Sequence, residues 1–472
     1  MKYVSTRQNG EPLGFEETLL QGLAPDGGLY VPEFLPKFSP SEIKEMGKLS
    51  YQDLAYKIIH PFVGGEIPND DLKKIIKKSY STFSHKAIAP LKQISHNEYL
   101  LELFHGPTLA FKDFALQMLG NMLDYFLKKS GQEVVIVGAT SGDTGSAAIM
   151  GCKGSENAEI FILHPHNRVS DVQRKQMTTI LDKNVHNISV KGNFDDCQAF
   201  VKKMFILQSS GQDFLKNKKI VAVNSINWAR IMSQIVYYFY AGIRLGASES
   251  NPVSFSVPTG NFGDIYAGFL AKRMGLSIKK LVVATNSNDI LTRFIKNNDY
   301  SRKSLLETLS PSMNIQVSSN FERLLFDFYN NDGKPKELAK LMKIFESEGK
   351  LQAEPQILEN IRKDFDAYCL DDDATRSLIK ELHDETEETI DPHTIIGIGA
   401  GRQYIASPEY KGEPVITLAT AHPAKFPEAI EKSGLASPKL PEFLSDLMSK
   451  KEEMTILEND LEEIKNFISQ KV

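Results

Sequence analysis

Short apolar runs alternate with helical stretches through most of the chain after residue 95, and this alternation is the main secondary-structure signal. The predicted strands are residues 133–137, 159–163, 188–190, 220–223, 253–257, 281–284, 394–398 and 415–418. Continuous apolar strands separated by helices are typical of parallel sheets that helices cover on both faces. The sequence therefore predicts an α/β protein with two parallel-type sheets, including a long helix over about 227–244.

Three regions lie outside this alternation: the start of the chain, residues 285–390 and the C-terminal tail. The first 95 residues have the pattern of a helical and loop-rich lead-in, with glycine turn signals. Residues 285–390 are charged, helix-rich and poor in strands, and we interpret them as a helical insertion whose charged faces are solvated. The predicted divisions are a lead-in at 1–95, a small α/β domain at 96–245, a large α/β domain at 246–430, and a helical tail at 431–472.

Composition excludes several classes of protein. The chain has 472 residues, 24% of them charged, and a formal net charge of -5 without long single-sign runs. It lacks the basic footprint of a nucleic-acid-binding protein, an apolar signal segment, and any run of about eighteen apolar residues. Cys152, Cys197 and Cys369 have neither disulfide-framework nor zinc-ligand spacing. We therefore expect a cytoplasmic protein with no metal site and no nucleic-acid or membrane partner.

Two glycine-containing loops have the composition of anion-binding sites. Residues 138–145 and 259–264 each follow a predicted strand and precede a helix, so their backbone N–H groups are expected to face a bound anion. For the first loop, a tight turn capped by hydroxyl groups is an equally good interpretation. The second loop suits a phosphate better than a carboxylate, and its alternative is a turn capped by Asp264. A third glycine cluster, at 397–401, is interpreted as ordinary turn chemistry.

Lys112 lies in the segment His105-Gly106-Pro107-Thr108-Leu109-Ala110-Phe111-Lys112-Asp113-Phe114-Ala115. Aromatic and small neighbours after a Pro/Gly turn predict a partly desolvated amine. Desolvation disfavours the ammonium form and leaves the amine available as a nucleophile. An exposed helix-surface charge is the usual alternative for a lysine, and here the neighbours argue against it.

At these residues the chain resembles the threonine synthases, which belong to the tryptophan-synthase-β-like (fold type II) enzymes that use pyridoxal phosphate (PLP). The segments that carry the resemblance occur in order along nearly the whole chain, at residues 3–7, 23–32, 105–115, 138–145, 224–230, 257–264 and 420–426. The resemblance implies conversion of O-phospho-L-homoserine and water to L-threonine and phosphate by γ-elimination and β-hydration, the last step of threonine biosynthesis. It leaves open whether the chain is a monomer or a homodimer.

The resemblance also implies roles for individual residues. Lys112 would hold PLP as an imine and then move protons, and Thr420 would lie beside the pyridine nitrogen. The implied ligands of the cofactor phosphate are Gly260, Asn261, Phe262, Gly263 and Asp264. The implied substrate-binding residues are Ser141, Gly142, Asp143, Thr144, Asn224, Ser225, Asn227 and Arg230. Gly106 stands where many fold type II enzymes carry an Asn, so the partner of the PLP ring hydroxyl stays unassigned.

Alternatives from two classes remain open. A hydroxyamino-acid dehydratase or a β-replacement enzyme of the same fold would keep the lysine and the phosphate loop, although segment 224–230 argues against it. A non-catalytic homologue that binds a phosphorylated metabolite would not need Lys112. A nucleotide-binding dehydrogenase is excluded because the required glycine fingerprint is missing.

The histidines are given no proton-transfer role. His105 and His422 lie inside the motif segments and are candidates for lining the site. His164, His166 and His393 are expected to be loop or strand-end residues with satisfied hydrogen bonds.

Overall fold

The computed structural model describes residues 1–211, 214–215 and 218–472. Its strands are β1 (Tyr3–Ser5), β2 (Tyr30–Pro32), β3 (Leu91–Ser95), β4 (Glu98–Glu102), β5 (Val134–Ala139), β6 (Ala158–Pro165), β7 (Val185–Val190), β8 (Lys219–Val221), β9 (Val253–Pro258), β10 (Ile278–Thr285), β11 (Tyr300–Ser301), β12 (Lys350–Leu351), β13 (Phe365–Cys369), β14 (Val415–Ala419) and β15 (Thr455–Leu457). Its α-helices are α1 (Phe15–Gln21), α2 (Pro40–Met46), α3 (Tyr51–Val63), α4 (Asn69–Tyr80), α5 (Lys112–Ser130), α6 (Asp143–Cys152), α7 (Asp171–Thr178), α8 (Phe194–Ser209), α9 (Trp228–Arg244), α10 (Gly263–Arg273), α11 (Ile290–Asn297), α12 (Phe321–Asn331), α13 (Pro335–Glu348), α14 (Pro355–Asp364), α15 (Asp372–Thr386), α16 (Pro392–Ile405), α17 (Pro427–Lys432) and α18 (Leu461–Lys471).

Two helix-covered sheets confirm the predicted α/β fold. The larger sheet has the order β13-β10-β9-β14-β4-β3, and all its neighbours are parallel except β3 and β4. The smaller sheet has the order β15-β7-β6-β5-β8 and is parallel throughout. The central strands β9, β10, β5 and β6 are almost wholly buried, which explains their continuous apolar sequences. No described helix has the length and apolar character needed to cross a membrane.

Both sheets include strands from regions that the sequence did not assign to them. Strands β3 and β4, at the junction of the predicted lead-in and small domain, pair in the larger sheet, and β13 joins that sheet from within the predicted insertion. Strand β15, in the predicted helical tail, extends the smaller sheet, so the tail is not purely helical. The four-part division of the chain stays a prediction.

Residues 394–398 lie in helix α16, so the predicted strand there is wrong, and so is the predicted turn at 397–401. A short apolar β-branched run has the same appearance in a buried strand and in a buried helix. The helix begins because the Asp391 side chain accepts hydrogen bonds from the His393 and Thr394 N–H groups. Its glycines allow close packing on the larger sheet, since a Cβ on Gly397 would lie 2.8 Å from the Thr417 Cγ2 of β14.

Glycines also set the distance between helices α5 and α6. A Cβ on Gly120 would lie 2.1 Å from the Gly151 carbonyl oxygen, and a Cβ on Gly151 would lie 2.3 Å from the Leu116 carbonyl oxygen. The two helices therefore cross almost backbone to backbone. This crossing brings their first residues, Lys112 and Asp143, to the same place in the molecule.

Candidate active site

A cavity lies where the carboxyl ends of β9 and β14 meet the amino-terminal ends of α5, α6 and α10. This is the edge at which open parallel sheets bind their ligands. The predicted site residues that line it are Lys112, Asp143, Thr144, Ser225, Arg230, Gly260, Asn261, Phe262, Gly263, Asp264 and Thr420. The predicted residues that do not line it are Ser141, Gly142, Asn224 and Asn227.

The loop at Gly260–Asp264 presents free N–H groups to the cavity. Among the described residues, no protein acceptor bonds any of its five backbone N–H groups. Its carbonyl groups are held on the other side, since Gly260 O accepts from Ser318 Oγ at 2.6 Å and Asn261 O accepts from the Asn320 N–H at 3.0 Å. A row of free donors at a helix N-terminus matches the several oxygens of a phosphate.

Asp264 has one carboxylate oxygen without a hydrogen-bond partner. Its Oδ1 accepts from the Tyr237 hydroxyl at 2.5 Å and the Tyr238 hydroxyl at 2.9 Å. Its Oδ2 is buried, and no described residue bonds it. The side chain does not cap α10, in contrast to the alternative drawn from the sequence. Burial raises the pKa of Asp264 to about 7, although both tyrosine hydrogen bonds and Lys112 oppose the shift.

Asp264→Asn is expected to remove a pH-dependent loss of stability from the cofactor-free protein. Between pH 3.8 and about 7 the unfolded chain ionises Asp264 while the folded chain keeps its proton, so rising pH destabilises the fold, and the loss is complete above about pH 7. The difference between the unfolded and folded pKa values of Asp264 corresponds to a loss of about 4 kcal/mol in the free energy of unfolding. Urea unfolding at several pH values should show the advantage of the variant over the wild type growing with pH across this window. A difference that is constant with pH would contradict the buried neutral acid.

Lys112 is held beside a carboxylate at the floor of the cavity. Its Nζ lies 3.1 Å from Asp143 Oδ2, while Lys425 Nζ lies 2.7 Å from Asp143 Oδ1 and Gln173 donates to that same oxygen at 2.8 Å. Burial lowers the pKa of Lys112; Asp143 opposes this shift, and Lys425 and Arg230 add to it. Burial alone would raise the pKa of Asp143, but the two lysines hold it well below its ordinary value. The site thus contains an amine that loses its proton readily.

The turn before α5 orients this lysine. Thr108 donates to both carboxylate oxygens of Asp113, through its N–H at 2.8 Å and its hydroxyl at 2.7 Å. The Phe111 N–H donates to Thr420 O at 2.8 Å, which ties the turn to the end of β14. Gly106 is required here, because a Cβ would lie 2.4 Å from Asp113 Oδ2. Close packing against Asp113 therefore leaves room only for glycine at position 106.

In the first glycine loop, residues 138–145, a side-chain hydroxyl of the loop itself bonds two of the backbone N–H groups. Thr140 Oγ1 accepts from the N–H groups of Gly142 and Gly145, each at 2.9 Å. The hydroxyl-capped turn drawn from the sequence is therefore present. The Thr144 side of the loop faces the cavity, and the Asp143 carboxylate is bound to lysines.

The 224–230 segment contributes fewer cavity residues than predicted. Ser225 and Arg230 line the cavity, and Arg230 donates to Val223 O at 3.1 Å. Burial lowers the pKa of Arg230 to about 10. The Asn227 side chain makes structural hydrogen bonds instead of lining the cavity. Its amide donates to Leu19 O at 2.9 Å, and its side-chain oxygen caps α9. Asn224 is exposed outside the cavity.

Sequence reasoning missed the polar cavity residues Gln234, Ser312 and His393, and also Lys425, which contacts Asp143 without lining the cavity. His393 lines the cavity at the start of α16, although it was expected to be a loop or strand-end residue. Its Nε2 accepts from the Ser312 N–H at 3.2 Å, and its Nδ1 lies 3.0 Å from Asp391 Oδ1. Ser312, from the predicted insertion, reaches Asp143 Oδ2 with its hydroxyl at 3.3 Å. His393 was missed because the predicted strand at 394–398 is in fact the helix that places it in the cavity. Ser312 was missed because it meets the other site residues only through a long-range contact.

The remaining histidines lie outside the cavity. His105 and His422, the two candidates, are not among its lining residues, and His105 pairs with Glu102 at 2.7 Å instead. The expectation of satisfied hydrogen bonds is wrong for His164, because neither buried ring nitrogen has a partner among the described residues. It sits at the end of a buried strand, and burial lowers its pKa to about 4.

Comparison with known proteins covers the whole chain. Family models match as "Threonine synthase N terminus" over residues 2–80, "Pyridoxal-phosphate dependent enzyme" over 85–356, and "Threonine synthase, C-terminal" over 394–468. The threonine synthase of Pseudomonas aeruginosa is 55% identical over 471 residues, which cover 100% of this chain and 98% of that protein.

Two crystal structures have the same fold over the same extent. A PLP-bound threonine synthase from Brucella melitensis is 46% identical with a TM-score of 0.95, covering 100% of this chain and 99% of that one. The yeast threonine synthase is 41% identical with a TM-score of 0.93, covering 100% and 98%. These matches show that the chain is a member of the PLP-dependent threonine synthases.

Proposed function

We propose that this chain converts O-phospho-L-homoserine and water to L-threonine and phosphate, with PLP bound on Lys112. The observation that carries the assignment is the pairing, in one cavity, of five free N–H groups at Gly260–Asp264 with a buried lysine whose pKa is lowered. The free N–H groups suit the cofactor phosphate, and the buried lysine suits imine formation. The proposed cytoplasmic location and the monomeric or homodimeric state follow the sequence predictions.

The residues present fit PLP at three points. The N–H groups of Gly260–Asp264 would bind its phosphate, Lys112 would bind its aldehyde carbon, and Thr420, at the carboxyl end of β14, would meet its pyridine nitrogen. Bound PLP supplies an electron sink that stabilises negative charge on carbons next to the substrate amino group. A threonine hydroxyl would not hold a full charge on the ring nitrogen as a carboxylate does, so protein donors near Lys112 would supply more of the stabilisation.

Lys112 is the proposed proton carrier. When its amine is free, Lys112 would remove a proton from the substrate Cα and then from Cβ, and would return protons later. The burial that lowers its pKa favours this neutral form. Asp143 keeps the amine directed into the site through the 3.1 Å contact.

Substrate anions require separate donors. Arg230 supplies a buried cation, and Ser225 and Thr144 supply hydroxyl groups on the wall of the same cavity. We propose that these three residues bind the substrate carboxylate and phosphate. Asp143 contributes by positioning Lys112, because a carboxylate would repel a substrate anion.

A product assay tests the proposed function. The purified protein with PLP should release one phosphate for each L-threonine formed from O-phospho-L-homoserine. L-Threonine and L-serine serve as dehydratase controls, and O-acetyl-L-serine with sulfide serves as a β-replacement control. Deamination or β-replacement without phosphate release would reject the proposal in favour of another reaction of this fold.

A further inference from the structure

A second lysine lies behind Lys112. Lys425 is completely buried, its Nζ is 2.7 Å from Asp143 Oδ1, and it also donates to Thr108 O at 2.7 Å. The other oxygen of Asp143 is 3.1 Å from Lys112 Nζ. One buried carboxylate thus lies between two buried lysines.

The charges of this trio do not balance when both lysines are protonated. One carboxylate neutralises one ammonium, so the fully protonated group carries a net charge of +1 away from water. Loss of one proton makes the group neutral, which burial favours. Lys425 Nζ donates at 2.7 Å to both Asp143 Oδ1 and Thr108 O, and these two acceptors hold its ammonium form, whereas Lys112 Nζ has only the 3.1 Å hydrogen bond to Asp143 Oδ2 among the described residues. Lys112 is therefore the amine that gives up its proton.

We propose that Lys425 is a positioning residue that occupies the negative charge of Asp143 and so keeps Lys112 as a neutral amine. Without Lys425, Asp143 and Lys112 would form a balanced buried ion pair that holds the ammonium form, which neither bonds an aldehyde nor removes a proton. The inference rests on the proposed role of Lys112 in binding PLP and moving protons.

Other charged groups around Lys112 do not replace Lys425. Among the described residues, Asp143 supplies the hydrogen bond of Lys112 Nζ. Arg230 faces the amine from α9 and acts in the same direction without contacting Asp143. Asp264, on α10, is bonded by two tyrosine hydroxyls, and Asp113, on the same helix as Lys112, is bonded by Thr108. His393, on α16, is bonded by the Ser312 N–H at Nε2 and by Asp391 at Nδ1.

The test follows PLP uptake by the cofactor-free chain as a function of pH. Uptake is read from the visible imine absorbance, and borohydride trapping with peptide mapping locates the lysine. Lys425→Met should move the midpoint of the pH profile upward by about one pH unit or more, so that uptake below the midpoint slows about tenfold. Lys425→Arg, which keeps the cation, should leave the midpoint in place. Asp143→Asn should move the midpoint to lower pH, because both ammonium groups lose their counter-ion.

The proposal is supported if the midpoint moves upward in Lys425→Met and downward in Asp143→Asn, and if Lys425→Arg keeps the wild-type midpoint. Equal slowing at every pH with an unmoved midpoint would overturn it and leave Lys425 a packing role. If Lys425→Met does not fold, Lys425→Gln keeps a hydrogen-bond donor without the charge and must show the same upward shift. Wild-type uptake on a lysine other than Lys112 would reject the proposed function and this inference together.

Discussion

Replacing Lys112 by alanine is expected to abolish turnover while leaving the protein folded. The loss should be on the order of 10³-fold or more in kcat, because a positioned group that transfers protons typically contributes 10²–10⁴-fold. The nucleophile that binds PLP is lost in the same change. Phosphate release from O-phospho-L-homoserine measures the rate, and the visible imine absorbance should disappear with it.

The matched control is a lysine on the outer part of the same helix. Lys128 lies on α5, half exposed and paired with Asp124 at 3.0 Å. Lys128→Ala should retain activity and the imine absorbance, since an exposed pair of this kind contributes little to stability. Retention of most activity by Lys112→Ala, with a native circular dichroism spectrum, would exclude Lys112 as the proton carrier.

Replacing Gly260 by alanine is expected to release PLP. The new Cβ would lie 2.8 Å from the Ser312 carbonyl oxygen, closer than such contacts allow, so the loop or the Ser312 segment must move. Displaced N–H groups lose hydrogen bonds to the charged phosphate, each worth about 1.5–3 kcal/mol, which predicts an affinity for PLP that is weaker by about ten- to a hundredfold for each bond lost. Equilibrium titration of the cofactor-free variant with PLP gives the dissociation constant.

Gly401→Ala is the matched control for this loop. A Cβ there makes ordinary contacts, 3.4 Å from Ser256 Cβ and 3.5 Å from Val415 Cγ1, within helix α16. Its affinity for PLP should equal that of the wild type. If Gly260→Ala bound PLP as tightly as Gly401→Ala, the phosphate site would have to lie elsewhere in the cavity.

Local chemistry made part of the site predictable. The Gly260–Asp264 loop combines glycines, a preceding strand and a following helix within one short segment, and its free N–H groups follow from that arrangement. The Lys112 segment is likewise continuous in sequence. The resemblance to one family then related these segments to a common cofactor, which the sequence pattern alone could not do.

Residues that act through long-range contacts were less accessible to sequence reasoning. Lys425 lies in the segment 420–426, which resembles the family, yet nothing in the local sequence pairs it with Asp143, 282 positions earlier in the chain. Ser312 reaches the site from a region interpreted as a solvated insertion. At 394–398 the strand prediction is wrong because a short run with three isoleucines fits either a strand or a buried helix, and the helix start depends on the Asp391 cap.

Borohydride reduction of the PLP-bound protein, followed by peptide mapping, tests the central claim most directly. Reduction converts the imine into a stable secondary amine, so the modified lysine is identified by mass. We expect a single pyridoxyl adduct, on Lys112, in the peptide that contains Pro107-Thr108-Leu109-Ala110-Phe111. An adduct on another lysine, Lys425 included, or no adduct on a protein that binds PLP and makes threonine, would contradict it.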